Sequence, residues 1–416
     1  MDLKAALEFL EKYDSFKKTG TYKNDHNFNL DRIKIFLKMW GVDFSKLKFI
    51  HVAGSKGKGY VTNLTADYLV ASGLAVGVFT SPHLLSICER IRIGDEFISE
   101  RDLINYVADI ERLVEEDQVV KDLRLSYFEY TWVIALKAFV DRECEYVVVE
   151  VGLGGRFDTT NIIDSDIAVL TFLELEHTHV LGNSLREIAG EKIEIRRRGR
   201  PFVVGKQSLE GRGVVEDLIG GEADFRPVWK EDRNEFDELG LVFDTASDED
   251  NAFTVFVVLN VLLGEVKMEL FKKVLSEFSL PGRFDVREYA GTKIVCDVAH
   301  TPASIDNFVR AFVSKFGSEE NAVLLSLMQD KKAKEIIEIL SGHFRKIYVT
   351  QSDFNRGLDP VVMSDIAKDI GLEVEVVDLS GDALERIVGE HEKLAVLGGF
   401  TLVEAFLVWL DQKKRP

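Results

Sequence analysis

The plainest chemistry in this 416-residue chain lies in one short loop, Gly54-Ser55-Lys56-Gly57-Lys58-Gly59. The run before it, FIHVAG, reads as a strand, and a helix-like stretch, VTNLTADYLVASG, follows at once. Strand, glycine loop and helix is the order that phosphate binding uses: glycines let backbone N–H groups converge on phosphate oxygens, and the helix start adds positive potential. Lys58 supplies a full charge. The common form, GxxxxGK followed by Ser or Thr, would need glycine at Val52 and a hydroxyl at Gly59. Spacing alone therefore leaves two readings open, a nucleotide loop and an ordinary glycine turn.

Two strand ends carry carboxylates. Glu150 closes the apolar run EYVVVE, and Asp297 closes KIVCD. A carboxylate there is costly to bury unpaired, which favours a cation nearby, and open α/β sheets put their ligands at such ends. The plainer alternatives are a Glu150 satisfied by backbone donors, an Asp297 that caps, and a structural His300. By themselves His177-Thr178-His179 reads as a loop and Lys192, in AGEKIEIRRR, as a surface lysine.

The elements that must position these groups follow an alternating pattern. FIHVAG, AVGVF, EYVVVEVG and IAVLTFL are short β-branched runs separated by longer amphipathic stretches, the signature of a mainly parallel sheet flanked by helices. The first 45 residues are expected to be helical beside the first strand, with LDRIKIFLKMWG ending at Gly41. A second series runs through KIVCDVAH, a helix from about Ala303, AVLLSLM, a helix from Lys332, KIYVT, a helix near Val361, EVEVV and LAVLGG with a last helix. Pro281-Gly282 breaks the chain between the two series. The expected fold is α/β with two domains: 1–281, which carries the glycine loop on a mainly parallel sheet flanked by helices, and 282–416, a smaller Rossmann-like α/β domain.

Composition narrows the classes. A net charge of -19 argues against a nucleic-acid footprint. The basic run Arg196-Arg197-Arg198-Gly199-Arg200 reads as a helix end whose cations sit near its carbonyls, and Asp244 to Asp250 as a solvated loop. No apolar run approaches the roughly 20 residues of a membrane span, and the N-terminus lacks a signal-peptide pattern, so a cytoplasmic protein is expected. Cys88, Cys144 and Cys296 lie far apart and read as reduced packing residues. The 30% of charged residues is compatible with a heat-adapted source.

With its Gly-Lys-Gly and preceding HVAG, the loop resembles that of the folylpolyglutamate synthases, a branch of the Mur ligase superfamily whose usual form is HVAGTNGKGS. FTSPHLLSICERIRIG (79–94), VVVEVGLGGRFDTTNII (147–163) and LELEHTHVLGNSLREIAGEK (173–192) resemble further segments of that family. So do DEDNA (248–252), PGRFD (281–285), DVAHTP (297–302), MQDKK (328–332) and GGFTLVEA (398–405). The motifs are collinear over nearly the whole chain.

The resemblance implies an ATP-dependent amide ligase that phosphorylates the glutamyl carboxylate of a folate and lets the amine of L-glutamate attack the acyl phosphate. It extends to joining dihydropteroate to its first glutamate, since bacterial relatives often do both. By this resemblance Gly54 to Gly59, Asn251, Arg283, Asp297 and His300 contact ATP, and Ser81, Glu150 and His177 hold Mg²⁺. Lys58, His177 and Lys192 are the implied catalytic residues, with Lys192 carbamylated by CO₂ to N6-carboxylysine. Lys331 is a candidate partner for phosphate or carbamate, with a solvated helix start as the alternative, a monovalent cation is a further cofactor, and a monomer is the expected state. The second-domain residues would reach ATP only if the domains face each other. Segments 81–89 and 152–161 are the implied folate walls, with Phe79, Phe128 and Phe157 available to stack on a pterin.

The chain departs from the family at Ser55, Lys56 and Tyr60, where Thr, Asn and Ser are usual, at Glu176, where Asp is usual, and at Ile193-Glu194, where Ala-Gly is usual. A phenol at position 60 cannot stand where a small hydroxyl touches Mg²⁺, which shifts metal binding onto Ser81, Glu150 and His177. A Mur-type ligase acting on a UDP-sugar peptide would need a domain ahead of residue 54. A non-catalytic nucleotide module would leave His177, Lys192, PGR and DVAHTP unexplained.

Overall fold

The structure, a computed structural model, describes residues 1–13, 29–317, 321–353 and 355–414. The part of the expected N-terminal helical region between 14 and 28 lies outside the described residues. The chain forms two compact units, Met1–Val242 with Ser247–Phe278, and Phe243–Ala246 with Ser279–Pro416.

In the first unit, strands β1 (Lys48–Ala53), β2 (Val76–Phe79), β3 (Ile91–Ile93), β4 (Glu96–Phe97), β5 (Tyr146–Glu150), β6 (Ile167–Leu170), β7 (Phe202–Val204) and β8 (Phe225–Pro227) make one sheet. Their order is β4-β3-β2-β5-β1-β6-β7-β8. All neighbours are parallel except β2 with β3 and β3 with β4. The central strands are buried along almost their whole length because helices cover both faces, which is why they read as unbroken apolar runs. The chain leaves β1, passes over β5 to β2, and later continues on the other side of β1 at β6. Such a reversal leaves a crevice at the carboxyl ends of the central strands, and Gly54, Ser81, Glu150 and Thr171 all follow or end those strands.

The N-terminal helices Leu3–Glu11 and Asp31–Met39 pack mainly on the helices Glu100–Glu116, Gln118–Leu123 and Tyr127–Asp141, and less on β1 than expected. Their apolar faces, through Leu10, Ile33 and Phe36, join the core that contains Tyr130 and Trp132. Arg32 and Glu129 form a buried ion pair there, and Arg32 also donates to the carbonyls of Leu123 (3.1 Å) and Arg124 (2.8 Å). Residues 246–250 are not loop. The helix Ala246–Leu263 takes them in, with Asp248 and Glu249 in its first turn, where negative charge meets the positive end of the helix dipole.

The second unit holds β9 (Asp285–Tyr289), β10 (Thr292–Asp297), β11 (Asn321–Leu325), β12 (Lys346–Val349), β13 (Glu373–Val376) and β14 (Lys393–Leu397), in the order β13-β12-β11-β14-β10-β9. Only β9 runs antiparallel. Each parallel strand is followed by a helix or, at β14, by the last helix, Phe400–Lys414. The helix expected from Ala303 starts at Pro302, with Thr301 as its cap and Ser304 completing a capping box. Among the described residues no helix is long and apolar enough to cross a membrane, and all three cysteines are buried and free.

Candidate active site

The glycine loop leaves β1 against the segment after β6. Gly54 adopts φ +148°, and a Cβ there would collide with the Thr171 side chain, so glycine is required. The N–H groups of Ser55 and Lys56 donate to the Phe172 carbonyl at 2.8 and 3.1 Å. Ser55 Oγ donates to the Glu174 carbonyl at 3.1 Å, and Lys56 pairs with the Glu174 carboxylate at 3.2 Å. The backbone N–H groups of Ser55 and Lys56, the Ser55 hydroxyl and the Lys56 ammonium are therefore spent on the protein. The helix Lys58–Ala71 begins at Gly57, which has φ +87° and no side-chain cap, so the N–H groups of its first turn are the ones aimed outward. Asn251 lies directly against Gly57, where a Cβ would strike its amide. The Tyr60 ring packs edge-on against Phe278, with the ring centroids 4.8 Å apart.

Two lysines from distant parts of the chain meet at the loop's first carbonyl. Lys58 Nζ donates to Gly54 O at 3.0 Å, and Lys192 Nζ donates to the same oxygen at 2.8 Å. Lys192 ends the helix Leu185–Lys192 and is only 2% exposed, the opposite of a surface lysine. Its second partner is Glu176, at 2.8 Å. Burial, with the charge of Lys58, pulls the Lys192 amine down to about 8, against the pull of Glu176 and Asp158. For Glu176 burial acts upward, but Lys192 and Lys58 outweigh it and hold the carboxyl below its ordinary range. His177, the next residue, has left-handed backbone (φ 47°), and burial lowers its imidazole despite Glu176. Its ring lies 6.3 Å from that of His179.

Across the loop, the Glu150 carboxylate is buried at the end of β5, accepts the Ser81 N–H at 3.0 Å, and stands 3.9 Å from where a Cβ of Gly59 would be. A buried carboxylate facing the start of the glycine-loop helix, beside a serine, offers hard oxygen donors of the kind Mg²⁺ prefers. Among the described residues no three of His, Cys, Asp and Glu converge as a metal cluster, so any cation here would keep most of its waters.

The two expected folate walls are internally stapled. In 81–89 the Glu89 carboxylate accepts the N–H groups of Leu84, Leu85 and Ser86 at 2.7–2.8 Å and forms a capping box with Ser86. The pattern Ser-x-x-Glu in Ser86-Ile87-Cys88-Glu89 is the sequence signature of this box. Arg90, also buried, donates to His83 Nδ1 at 2.8 Å and lies over the Tyr127 ring. In 152–161 a Cβ at Gly155 would strike the carbonyls of Glu191 and Lys192, so this glycine lets the segment rest on the helix end that carries Lys192. The Arg156 N–H to the Glu191 carbonyl at 2.9 Å fastens it there. Of the three rings, Phe79 is excluded as a stacking surface: it is wholly buried against Phe128 and Trp132. Phe128 lies over Gly152, and Phe157 is 44% exposed.

The second unit gathers its own residues at the end of β10. Asp297 accepts the N–H groups of Phe284 and Ala299, each at 2.7 Å; burial pushes its carboxyl up, with Arg283 opposing. The Ala299 bond closes a turn two residues on from Asp297 and the Phe284 bond ties it to the segment before β9, whereas the following helix is capped by Thr301. His300 Nδ1 bonds the Val298 carbonyl at 2.7 Å, and Arg283 lies 5.6 Å from the Phe400 ring. Lys331 pairs with its neighbour Asp330 at 2.8 Å. In the basic run, Arg197 donates to the carbonyls of Ile195, Arg196 and Asn161 near 3.0 Å, and Arg196 and Arg200 pair with Glu222 and Asp166. These arginines close off carbonyls and acids of the protein itself.

Comparison with known proteins agrees with this architecture. The model of the Mur ligase, glutamate ligase domain, matches residues 282–397. A dihydrofolate synthase/folylpolyglutamate synthase of Buchnera aphidicola subsp. Acyrthosiphon pisum is 32% identical over 285 residues, which is 66% of this chain and 68% of the relative. The crystal structure of a folylpolyglutamate synthase from Thermotoga maritima superposes with a TM-score of 0.81 at 26% identity, over 99% of this chain and 97% of that one. A bifunctional folylpolyglutamate synthase/dihydrofolate synthase from Yersinia pestis gives 0.79 at 26% identity, over 99% and 98%.

Proposed function

This chain belongs to the dihydrofolate synthase/folylpolyglutamate synthase family, and on that premise we propose that it spends ATP on joining L-glutamate to the glutamyl carboxylate of a tetrahydrofolate. A carboxylate oxygen of the folate attacks the γ-phosphorus of ATP, ADP leaves, and an acyl phosphate forms. The amine of glutamate then attacks the acyl carbon, phosphate departs with the bonding pair, and the amine proton is lost to solvent or a base. The protein's task is to neutralise charge around the phosphoryl group, hold the reactants in line and exclude water.

The observation that carries this reading is the meeting of Lys58 and Lys192 at the Gly54 carbonyl, opposite the buried Glu150. Lys58 swings from that carbonyl onto the phosphates, and the first-turn N–H groups after Gly57 receive their oxygens. Asn251, Arg283, Asp297 and His300 serve the nucleotide, with Ser55, Lys56 and Gly59 lining the loop. Glu150, Ser81 and His177 would hold Mg²⁺, which when bound neutralises the transferring phosphoryl oxygens. Lys192 becomes N6-carboxylysine: its neutral amine, favoured by the lowered pKa, attacks CO₂ and loses a proton, which requires Nζ to leave Glu176. The folate lies between segments 81–89 and 152–161. The protein works as a cytoplasmic monomer, with a monovalent cation as a further cofactor.

The names of the relatives favour a second acceptor, dihydropteroate. Purified protein with ATP, Mg²⁺ and glutamate is expected to release ADP on addition of tetrahydrofolate, methylene-tetrahydrofolate or dihydropteroate. Silence with all three refutes the proposal.

A further inference from the structure

We infer that His51 is a positioning residue for the folate: it heads a buried hydrogen-bond chain, His51 to Thr160 to Asp158, that sets the conformation of segment 152–161. The inference rests on the reading of that segment as a folate wall.

His51 sits in the middle of β1, level with Val149 of β5 and Ala168 of β6, and is wholly buried. Every other inner residue of that strand is apolar, so a polar ring there must recover its desolvation through a partner. The partner is Thr160, whose Oγ1 lies 2.8 Å from His51 Nε2. Thr160 Oγ1 in turn donates to Asp158 Oδ1. A hydroxyl has one proton; with that proton on Asp158, its oxygen must accept from His51, and Nε2 is the protonated nitrogen. Burial, with the Arg197 charge, holds the imidazole far below its ordinary range, at about 3, so the ring stays neutral with that one proton. Nδ1 is left without a hydrogen bond. A neutral donor at this place removes the alternative rotor of Thr160 and commits its proton to Asp158.

Asp158 then does the folding of the segment. Its carboxylate accepts the N–H groups of Leu153 and Thr160, each at 2.9 Å, besides the Thr160 hydroxyl, and so ties the first turn of 152–161 to its last. The Asp158 N–H to the Gly155 carbonyl, at 3.1 Å, closes the turn between them. Losing the Thr160 donor would leave a buried carboxylate short of partners and loosen the wall.

Because His51 precedes the glycine loop on the same strand, the competing role is support of the ATP site, and steady-state kinetics separate the two. In His51→Leu the KM for tetrahydrofolate is expected to rise about ten-fold while the KM for ATP stays within about two-fold, and His51→Gln, which keeps an N–H donor near Nε2, is expected to recover most of the loss. An unchanged folate KM, a parallel rise for ATP and folate, or no recovery by glutamine overturns the inference. Nitrogen-15 NMR of the wild-type imidazoles tests the same chain without turnover. A neutral Nε2–H ring for His51 from about pH 5 to 8 is expected, and an imidazolium or an Nδ1–H ring overturns the inference. Wild-type protein inactive with every folate would refute the proposed reaction, while the NMR result would still decide on the chain.

Discussion

Replacing Glu176 by Gln tests the electrostatics around Lys192 with almost no change in shape. The carboxylate lies 2.8 Å from Nζ, and the lysine is 2% exposed. Removing one partner of a buried ion pair ordinarily costs about 3–5 kcal/mol, because the remaining charge is stranded. Here the lysine has an escape. With its pKa near 8, giving up the proton at pH 7 costs only about 1.4 kcal/mol, so the penalty of Glu176→Gln through this pair is capped near that value at pH 7. The cap rises by about 1.4 kcal/mol for each unit of pH below 7 and disappears above about pH 9, where the amine is already neutral. The sign follows from linkage: the folded amine titrates below its unfolded value of 10.5, and taking away Glu176 lowers it further, so the variant's folded state binds fewer protons than the wild type's around neutrality and loses ground as pH falls. Urea midpoints of wild type and variant, compared at the same pH across the range from about 5.5 to 9, read the difference directly. A difference that is independent of pH, or larger at the alkaline end, would refute this account of the site. Carbamylation should move the other way, with more ¹³C-labelled carbamate on Lys192 in the variant at pH 7, since more of the amine is neutral.

Three further outcomes are expected. Lys58→Met should lower the rate of ADP release by about 100-fold or more, as loss of one preorganised charge at a phosphoryl site does, with the thermal midpoint little changed. Gly57→Ala should weaken ATP binding, measured by calorimetry, because φ +87° costs an L-residue about 1–2 kcal/mol and the new Cβ strikes Asn251; adding Asn251→Gly should relieve the clash but not the backbone cost. Glu150→Gln should raise the Mg²⁺ concentration for half-maximal ADP release by about ten-fold, since a hard cation loses its charged ligand, and a Mg²⁺ profile identical to wild type would remove Glu150 from the metal site.

Local chemistry in the chain was enough to locate the glycine loop, the main parallel strands and the two carboxylates at strand ends, because glycine spacing and fully apolar runs are properties of neighbours in sequence. The strands of two or three residues (β3, β4, β7 and β8) are too short to carry a period, and the edge strand β9 is mostly polar and only partly buried, so neither kind is legible in the sequence. Residues 246–250 read as loop by their acidity, which in fact marks a helix start. Phe79, one of three rings available by type for stacking, is core. The site itself depended on contacts between distant residues. Lys192, embedded among charges, looks solvated in sequence; it is buried because Gly155 permits another segment to lie on its helix end, and because its amine finds Gly54, 138 residues away, and Glu176. His51 and Thr160 are 109 residues apart and meet only once β1 and the segment after β5 are in place. Residue types and local spacing thus determined which groups were available, whereas burial and partnership, which decide a lysine's charge or a histidine's tautomer, arose only when the sheet brought its carboxyl ends together.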